Sequence, residues 1–311
     1  MKKISVVIPT LNEEENVEPL SEAIITEIKK LEKYDYEIIF IDNFSVDKTR
    51  QKLVEMCSQN DKIKAIFNKR NFGGIKSPIH GILQATGDAI IVLCADFQNP
   101  PSLIPQFVSK WEEGYEAVCA VKNKSKEFFV MKAIRSLFYS FVDKYSDVPQ
   151  IKHFDGVGLY DRTVIEQIRE LAKSDCEIQL RNLPSELGMK YAIVEFELQK
   201  RRAGKTKNNV FALYEYAINI LVNYTKVLFR ASISLSVVMF FTSIVLFLIT
   251  LYLNLINGFG DFTKLFYFGE LLMFFTSFPL FFIGMLGEYI YNIKSRIVKR
   301  ELVIEEKRIN F

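Results

Sequence analysis

Histidine is almost missing from this chain of 311 residues, which has only His80 and His153. A zinc site or a histidine-based hydrolytic centre is therefore not expected. The four cysteines, Cys57, Cys94, Cys119 and Cys176, fall at no metal-ligand spacing and read as reduced, packed thiols. Tryptophan occurs once, at Trp111. No internal repeat and no low-complexity tract is visible. The net charge of +3 is too small to suggest a nucleic-acid partner. Met1-Lys2-Lys3 is followed by too short an apolar run for a signal peptide, so Ile4 to Ile8 reads as a first strand.

What the chain does have is apolar length near its end. Residues 231–256 and 265–293 are nearly all apolar and rich in phenylalanine, and each exceeds the roughly 20 residues that span a bilayer. Asn257-Gly258, Asp261 and Lys264 mark a turn between them. The expectation is a transmembrane hairpin, about 231–256 and 265–291, in a membrane segment 231–293. Lys226 and Arg230 precede it, and Lys294, Arg296, Lys299 and Arg300 follow. The positive-inside rule places the large domain and both termini in the cytoplasm, with 294–311 as a basic tail.

Before residue 208 the pattern is that of a soluble α/β domain. Ile4 to Pro9 is a strand, and Thr10 to Glu15 a loop with a helix cap and acids in the first turn. Val17, Leu20, Ile24, Ile28 and Leu31 follow at helical spacing. Tyr36 to Ile41 is a second strand, ending in Asp42, before a helix capped by Ser45 or Asp47. Ile63 to Phe67 is a third strand. The turn Asn68 to Gly74 leads into a helix running to about Thr86, and Gly87-Asp88 ends it. This alternation predicts a doubly wound, mostly parallel sheet.

The fourth strand, Ala89 to Leu93, ends in Cys94-Ala95-Asp96-Phe97-Gln98-Asn99-Pro100-Pro101. The prolines stop the ladder. Asp96 and Gln98 then sit beyond the carboxyl end of a central strand, where open α/β sheets bind ligands. Two hard oxygen donors suit Mg²⁺ or Mn²⁺ carrying a diphosphate. The plainer alternative is a polar turn. Asp42 and Asp96, ending strands two and four, are expected to face one crevice.

Further on, a basic then apolar helix is expected from about Lys122 to Tyr145, with Lys132 and Arg135. Phe154 to Arg162 reads as a glycine-bearing strand entering a helix, and Tyr191 to Leu198 as another strand. Gln199 to Lys207 is strongly basic and precedes an amphipathic stretch, 208–230. That stretch is either an interfacial helix or one packed on the soluble core; the basic loop is either a solvated charge run or a site for an anion at the lipid surface.

Taken together, these residues resemble the family 2 glycosyltransferases of the GT-A fold, and within them the polyprenyl-phosphate glycosyltransferases related to dolichyl-phosphate mannose synthase. The resemblance covers nearly the whole chain. Pro9, Thr10, Leu11, Asn12 and Glu13 match the opening motif, which lines the nucleotide pocket. Asp42 matches the acid that contacts the base. Arg70, Asn71 and Gly73, with Thr86-Gly87-Asp88, match the turns flanking the third helix. Asp96 and Gln98 match the metal ligands, while Arg201, Gly204, Thr206 and Lys207 match a phosphate-binding segment. Asn43 stands where the family has a second acid, Phe44 where it has glycine, and Cys94 where it has the first acid of Asp-x-Asp. Asp155 is aligned with the family's later acid, shifted by one.

The resemblance implies a membrane-bound, inverting transfer of one sugar from a UDP- or GDP-linked donor, UDP-hexose favoured, to polyprenyl phosphate, undecaprenyl phosphate in bacterial members. Such an acceptor is already an anion and needs no strong base, so positioning and charge stabilisation carry the chemistry. Asp96, Gln98 and Asp155 are the candidate catalytic residues. Lys122, Arg135, Arg201 and Lys207 are candidates for holding phosphates. A homo-oligomer in the cytoplasmic membrane is expected. A processive polysaccharide synthase is an alternative, weakened because Trp111 lies outside a Gln-x-x-Arg-Trp motif. A non-catalytic module that binds a nucleotide sugar is another, suggested by Cys94 and Asn43. Glu270 and Glu288, in or near the second span, raise flipping or channel work as a third.

Overall fold

Apolar residues alternate along the first strand, and the alternation divides the core in two. In the computed structural model, which describes residues 1–122, 151–173, 178–199, 303–311 and scattered helical positions between 245 and 293, strand β1 is Lys2–Thr10. Its Ile4, Val6 and Ile8 enter one buried cluster, and Val7 enters the other. Period-two alternation requires this when both faces of a strand are covered.

The remaining strands are β2 (Tyr34–Asp42), β3 (Ile63–Asn68), β4 (Ala89–Val92), β5 (Ala117–Lys122), β6 (Phe154–Asp161), β7 (Tyr191–Phe196) and β8 (Glu305–Ile309). They form one sheet in the order β7-β5-β6-β4-β1-β2-β3-β8. Helices α1 (Val17–Lys29), α2 (Thr49–Gln59) and α4 (Ile104–Glu112) cover the face carrying Ile4 and Ile8. Helices α3 (Gly73–Gln84) and α5 (Arg162–Leu171) cover the other. A short α6 spans Leu183–Glu186.

The expected doubly wound α/β sheet is present, but it is mixed. Pairs β1–β2, β2–β3, β1–β4 and β5–β7 are parallel, whereas β4–β6, β5–β6 and β3–β8 are antiparallel. Strand order reverses between β1 and β4, which makes a topological switch point at their carboxyl ends. At the β5–β6 pair, Gly158 permits a close approach: a β-carbon there would lie 2.0 Å from the Val118 carbonyl oxygen.

Two expectations are corrected and a third is extended. Lys122 ends strand β5 rather than opening a helix, because Ala117 to Val121 pairs with both β6 and β7. Neither Ser45 nor Asp47 is the N-cap of α2, a position taken by Lys48; Asp47 Oδ1 instead accepts from the Thr49 amide at 3.0 Å. The end of the basic tail is strand β8, which covers the free edge of β3. Its charged sequence suits an edge strand, since charge there discourages further pairing.

Two compact units divide the chain: Met1–Tyr139, Val148–Lys207 and Arg296–Phe311 form one, and Ser140–Asp147 with Asn208–Ser295 form the other. The sheet belongs to the first. The amphipathic stretch 208–230 and nearly all of the two apolar runs lie outside the described residues, as do Arg135, Arg201, Lys207 and Cys176. Among the described residues no helix is long and apolar enough to cross a membrane.

Candidate active site

The parallel strands β1, β2 and β4 all end on one edge of the sheet, and the loops that follow them are stitched together. From the loop after β1, the amides of Asn12, Glu13 and Glu14 donate to Ser45 Oγ (2.8 Å), Thr49 Oγ1 (2.8 Å) and Asp47 Oδ2 (3.3 Å). In return, the amides of Val46 and Lys48 donate to Asn12 Oδ1 and Glu14 Oε2, each at 2.8 Å. The opening motif and the loop after β2 therefore form one body. Thr10 is buried beneath it, its hydroxyl donating to the Ile41 carbonyl.

Asn43 joins a third loop to this body. Its amide donates to the Thr10 carbonyl at 2.9 Å. Its Nδ2 donates to Asn71 Oδ1 (2.9 Å) and the Gly73 carbonyl (3.2 Å). Its Oδ1 accepts from Asn68 Nδ2 (3.1 Å) and the Phe72 amide (2.9 Å). This satisfies the full donor and acceptor capacity of the amide side chain. An acid at this position would put carboxylate oxygens against two acceptors, which is a physical reason for asparagine here. Gly73, at φ +87°, occupies a backbone region that side chains disfavour. Arg70 is exposed, with its guanidinium 4.1 Å from the Phe72 ring centroid.

Asp42 and Asp96 both lie on this edge, on strands separated only by β1, and neither carboxylate is widely open. Asp42 is fully buried and accepts from the Ser45 amide, while Arg50 Nε approaches its Oδ2 to 3.1 Å. That approach is a charge contact without good hydrogen-bond alignment. Burial raises the Asp42 carboxyl above its ordinary range, against the lowering effect of Ser45 and Arg50. Arg50 also pairs with Glu306 of β8 at 2.7 Å, so the C-terminal strand reaches back to the loop after β2.

After β4 the chain turns at Phe97, φ +61°, and the Gln98 amide donates to Asp96 Oδ1 at 3.1 Å. Asp96 is 5 % exposed and Gln98 half-buried. One carboxylate and one amide oxygen are hard donors, fitting an Mg²⁺ or Mn²⁺ ion that keeps waters and takes diphosphate oxygens. No group of three or more His, Cys, Asp or Glu side chains suited to a metal occurs among the described residues.

Two further candidates meet at this edge. Lys122 Nζ lies 2.6 Å from Asp155 Oδ2, so the phosphate candidate and the acid candidate are ion-pair partners. Strand β6 runs antiparallel to β4 with Gly158 opposite Val92. Asp155, three residues before Gly158, therefore lies on the edge beyond the carboxyl end of β4. The basic loop begins here as well, because the Gln199 amide donates to the Gln98 carbonyl at 3.3 Å. Arg201 follows two residues later in sequence.

The backbone marks the same edge. Five described non-glycine residues have positive φ, and four of them flank it: Asn12 after β1, Phe44 after β2, Phe97 after β4 and His153 before β6. For a bulky residue such a conformation costs on the order of 1–3 kcal/mol and collects at functional sites. Asn43, Ser45, Asn68 and Thr49, which hold the loops, were not candidates from sequence. Their small polar side chains just beyond buried strands were the available signal.

A doubly wound sheet with its loops gathered around a switch point is the architecture in which open α/β proteins bind ligands. The model of glycosyl transferase family 2 matches residues 5–169, and the chain belongs to that family; it is a glycosyltransferase. It is similar to the putative glycosyltransferase CsbB of Bacillus subtilis (strain 168), 30 % identical over 98 % of this chain and 92 % of that one. It is also similar to the prophage bactoprenol glucosyl transferase homolog of Escherichia coli (strain K12), 30 % identical over 72 % of each chain. Among solved structures, glucosyl-3-phosphoglycerate synthase from Mycobacterium tuberculosis is 16 % identical, with a TM-score of 0.47, over 71 % of this chain and 78 % of that one.

Proposed function

We propose that this glycosyltransferase moves one sugar, with inversion, from a UDP-hexose to a polyprenyl phosphate at the cytoplasmic face of a membrane. The observation that carries this reading is the junction at the carboxyl edge of β4. Asp96 and Gln98 lie there on the same edge as the Lys122–Asp155 pair, and the Gln98 carbonyl accepts the Gln199 amide at the start of the basic loop. The name of the Escherichia coli relative, a bactoprenol glucosyl transferase homolog, supports a lipid acceptor. The two apolar runs support a membrane. So do the helical positions Leu286, Ile290 and Ile293, which are apolar yet 52 %, 63 % and 55 % exposed.

The loops after β1 and β2, locked by their five hydrogen bonds, hold the nucleotide in a fixed pose. Asp96 and Gln98 would hold a divalent ion, Mg²⁺ or Mn²⁺, which would supply charge neutralisation to the departing diphosphate. Lys122, aimed by Asp155, and the cations Arg135, Arg201 and Lys207 hold acceptor and donor phosphates against mutual repulsion. The acceptor phosphate attacks the anomeric carbon as the diphosphate leaves from the opposite side, so an α-linked donor gives a β-linked lipid product. No side chain has to remove a proton, because the acceptor phosphate is already an anion.

The test is nucleotide release by the full-length protein from a panel of UDP- and GDP-sugars, with and without polyprenyl phosphate, and with Mg²⁺, Mn²⁺ or EDTA. Release is expected with a UDP-hexose, only when lipid and metal are both present, and is lost in Asp96→Asn with folding intact. Release independent of lipid overturns the acceptor. Full activity of Asp96→Asn overturns the metal role. Nucleotide binding without turnover of any donor favours the non-catalytic module.

A further inference from the structure

We infer that Phe44 is a stacking platform for the nucleobase of the donor. This rests on the nucleotide-sugar reading above and adds to it the residue that grips the base. Phe44 has φ +72°, a left-handed conformation that a bulky side chain disfavours. Packing does not explain the strain, because the residue is 43 % exposed and belongs to neither core cluster.

What enforces the conformation is hydrogen bonding on both sides. Asn43 is tied through its amide to Thr10 and through its side chain to Asn68, Asn71, Phe72 and Gly73. Ser45 donates its amide to the Asp42 carboxylate and accepts the Asn12 amide on its hydroxyl. Phe44 is thus the single unpacked residue between two clamped neighbours, and those clamps lead to the two loops assigned to the nucleotide.

The ring itself is steadied by charge. The Arg50 guanidinium carbon lies 5.9 Å from the Phe44 centroid and 5.2 Å from that of Phe67, while Arg50 is held by Asp42 and Glu306. A rigid aromatic ring, half open to solvent at the switch-point edge, is what a flat heterocycle needs as a partner. Every base has a π face, so stacking supplies affinity with little sequence discrimination. The carboxylate next to it, Asp42, is buried and already engaged, and so is less available for an edge contact.

The experiment measures UDP and uridine binding by calorimetry, with Mg²⁺, to the full-length protein in detergent, alongside its thermal midpoint. Wild type is compared with Phe44→Gly, Phe44→Leu and Phe44→Trp. Removing the strain, Phe44→Gly is expected to hold or raise Tm while weakening UDP and uridine binding roughly 5- to 100-fold, the range for loss of one base–aromatic stack. Phe44→Leu keeps apolar bulk without a π face and is expected to weaken binding similarly, whereas Phe44→Trp restores it. Wild-type affinity in both Phe44→Gly and Phe44→Leu overturns the inference with the donor reading intact. Failure of wild type itself to bind any nucleotide overturns the donor reading, and the inference falls with it.

Discussion

Asn43 Nδ2 donates to Asn71 Oδ1 at 2.9 Å, across a gap of 28 residues, and so fastens the turn before α3 to the loop after β2. The same nitrogen reaches the Gly73 carbonyl, and Asn43 Oδ1 receives the Phe72 amide. Asn43→Asp would remove both donors and face a carboxylate toward Asn71 Oδ1 and the Gly73 oxygen. A loss of about 1–3 kcal/mol in unfolding free energy is expected, from two part-buried hydrogen bonds lost at about 0.5–1.5 kcal/mol each. Urea unfolding of the two proteins checks it; equal midpoints would show that the turn does not depend on the clamp.

Glu37 sits at the other end of the sheet and makes a pH prediction. Its side chain is 1 % exposed. Burial raises its carboxyl pKa, but hydrogen bonds from Ser5, the Thr86 amide, Lys64 and Lys3 outweigh this and hold it at about 2 against an ordinary 4.5. Because the folded value is lowered, the native state binds this proton less readily than the unfolded chain. The stabilisation is therefore complete above about pH 4.5 and is lost as pH falls toward 2. Glu37→Gln is expected to remove on the order of 3 kcal/mol at pH 7 and to flatten stability between pH 5 and about 2. Unfolding at stepped pH measures both effects; parallel pH curves for wild type and variant would contradict the assignment.

Arg50 separates two acids of different burial, and the two contacts are expected to differ in weight. Glu306 is 45 % exposed, so Glu306→Gln is expected to change stability by less than about 1 kcal/mol. Arg50→Ala leaves Asp42 buried beside no cation and is expected to cost about 3–5 kcal/mol. The comparison is made by thermal or chemical unfolding. An Arg50→Ala protein as stable as wild type would mean that Asp42 is held neutral by its burial, without need of the guanidinium.

The first four strands were legible in the sequence because each is a short apolar run closed by Pro9, Asp42, Asn68 or the Cys94–Pro101 segment. Asp96 and Gln98 were legible for the same reason. Strand β8 was not, since Glu305-Glu306-Lys307-Arg308 carries no apolar period and is fixed only by pairing with β3 nearly 240 residues earlier in the chain. Lys122 was misread because a strand of six residues ending in lysine resembles the start of a basic helix. The clamps at Asn12, Asn43 and Ser45 escaped because their partners lie about 30 residues away, beyond any local pattern. Phe44 was noted only as a residue standing where the family has glycine; its own positive φ is not what phenylalanine signals.

The Lys122–Asp155 pair separates function from stability. With side chains 28 % and 35 % exposed, the 2.6 Å contact is screened by solvent and is expected to contribute no more than about 1 kcal/mol to folding. If Lys122 holds a phosphate, Lys122→Met should leave Tm within about 3 °C of wild type, in line with that small folding term. It should also lower kcat/KM for the lipid acceptor by about 10- to 100-fold, as expected for one charge-assisted phosphate contact of about 1.5–3 kcal/mol. Asp155→Asn keeps the shape and removes the charge that aims the lysine, so a smaller loss of kcat/KM is expected. In the double variant the losses should fall short of the product of the single ones, because both act on one contact. Steady-state turnover at varied lipid concentration reads all three; fully multiplicative losses would assign Asp155 a role independent of Lys122.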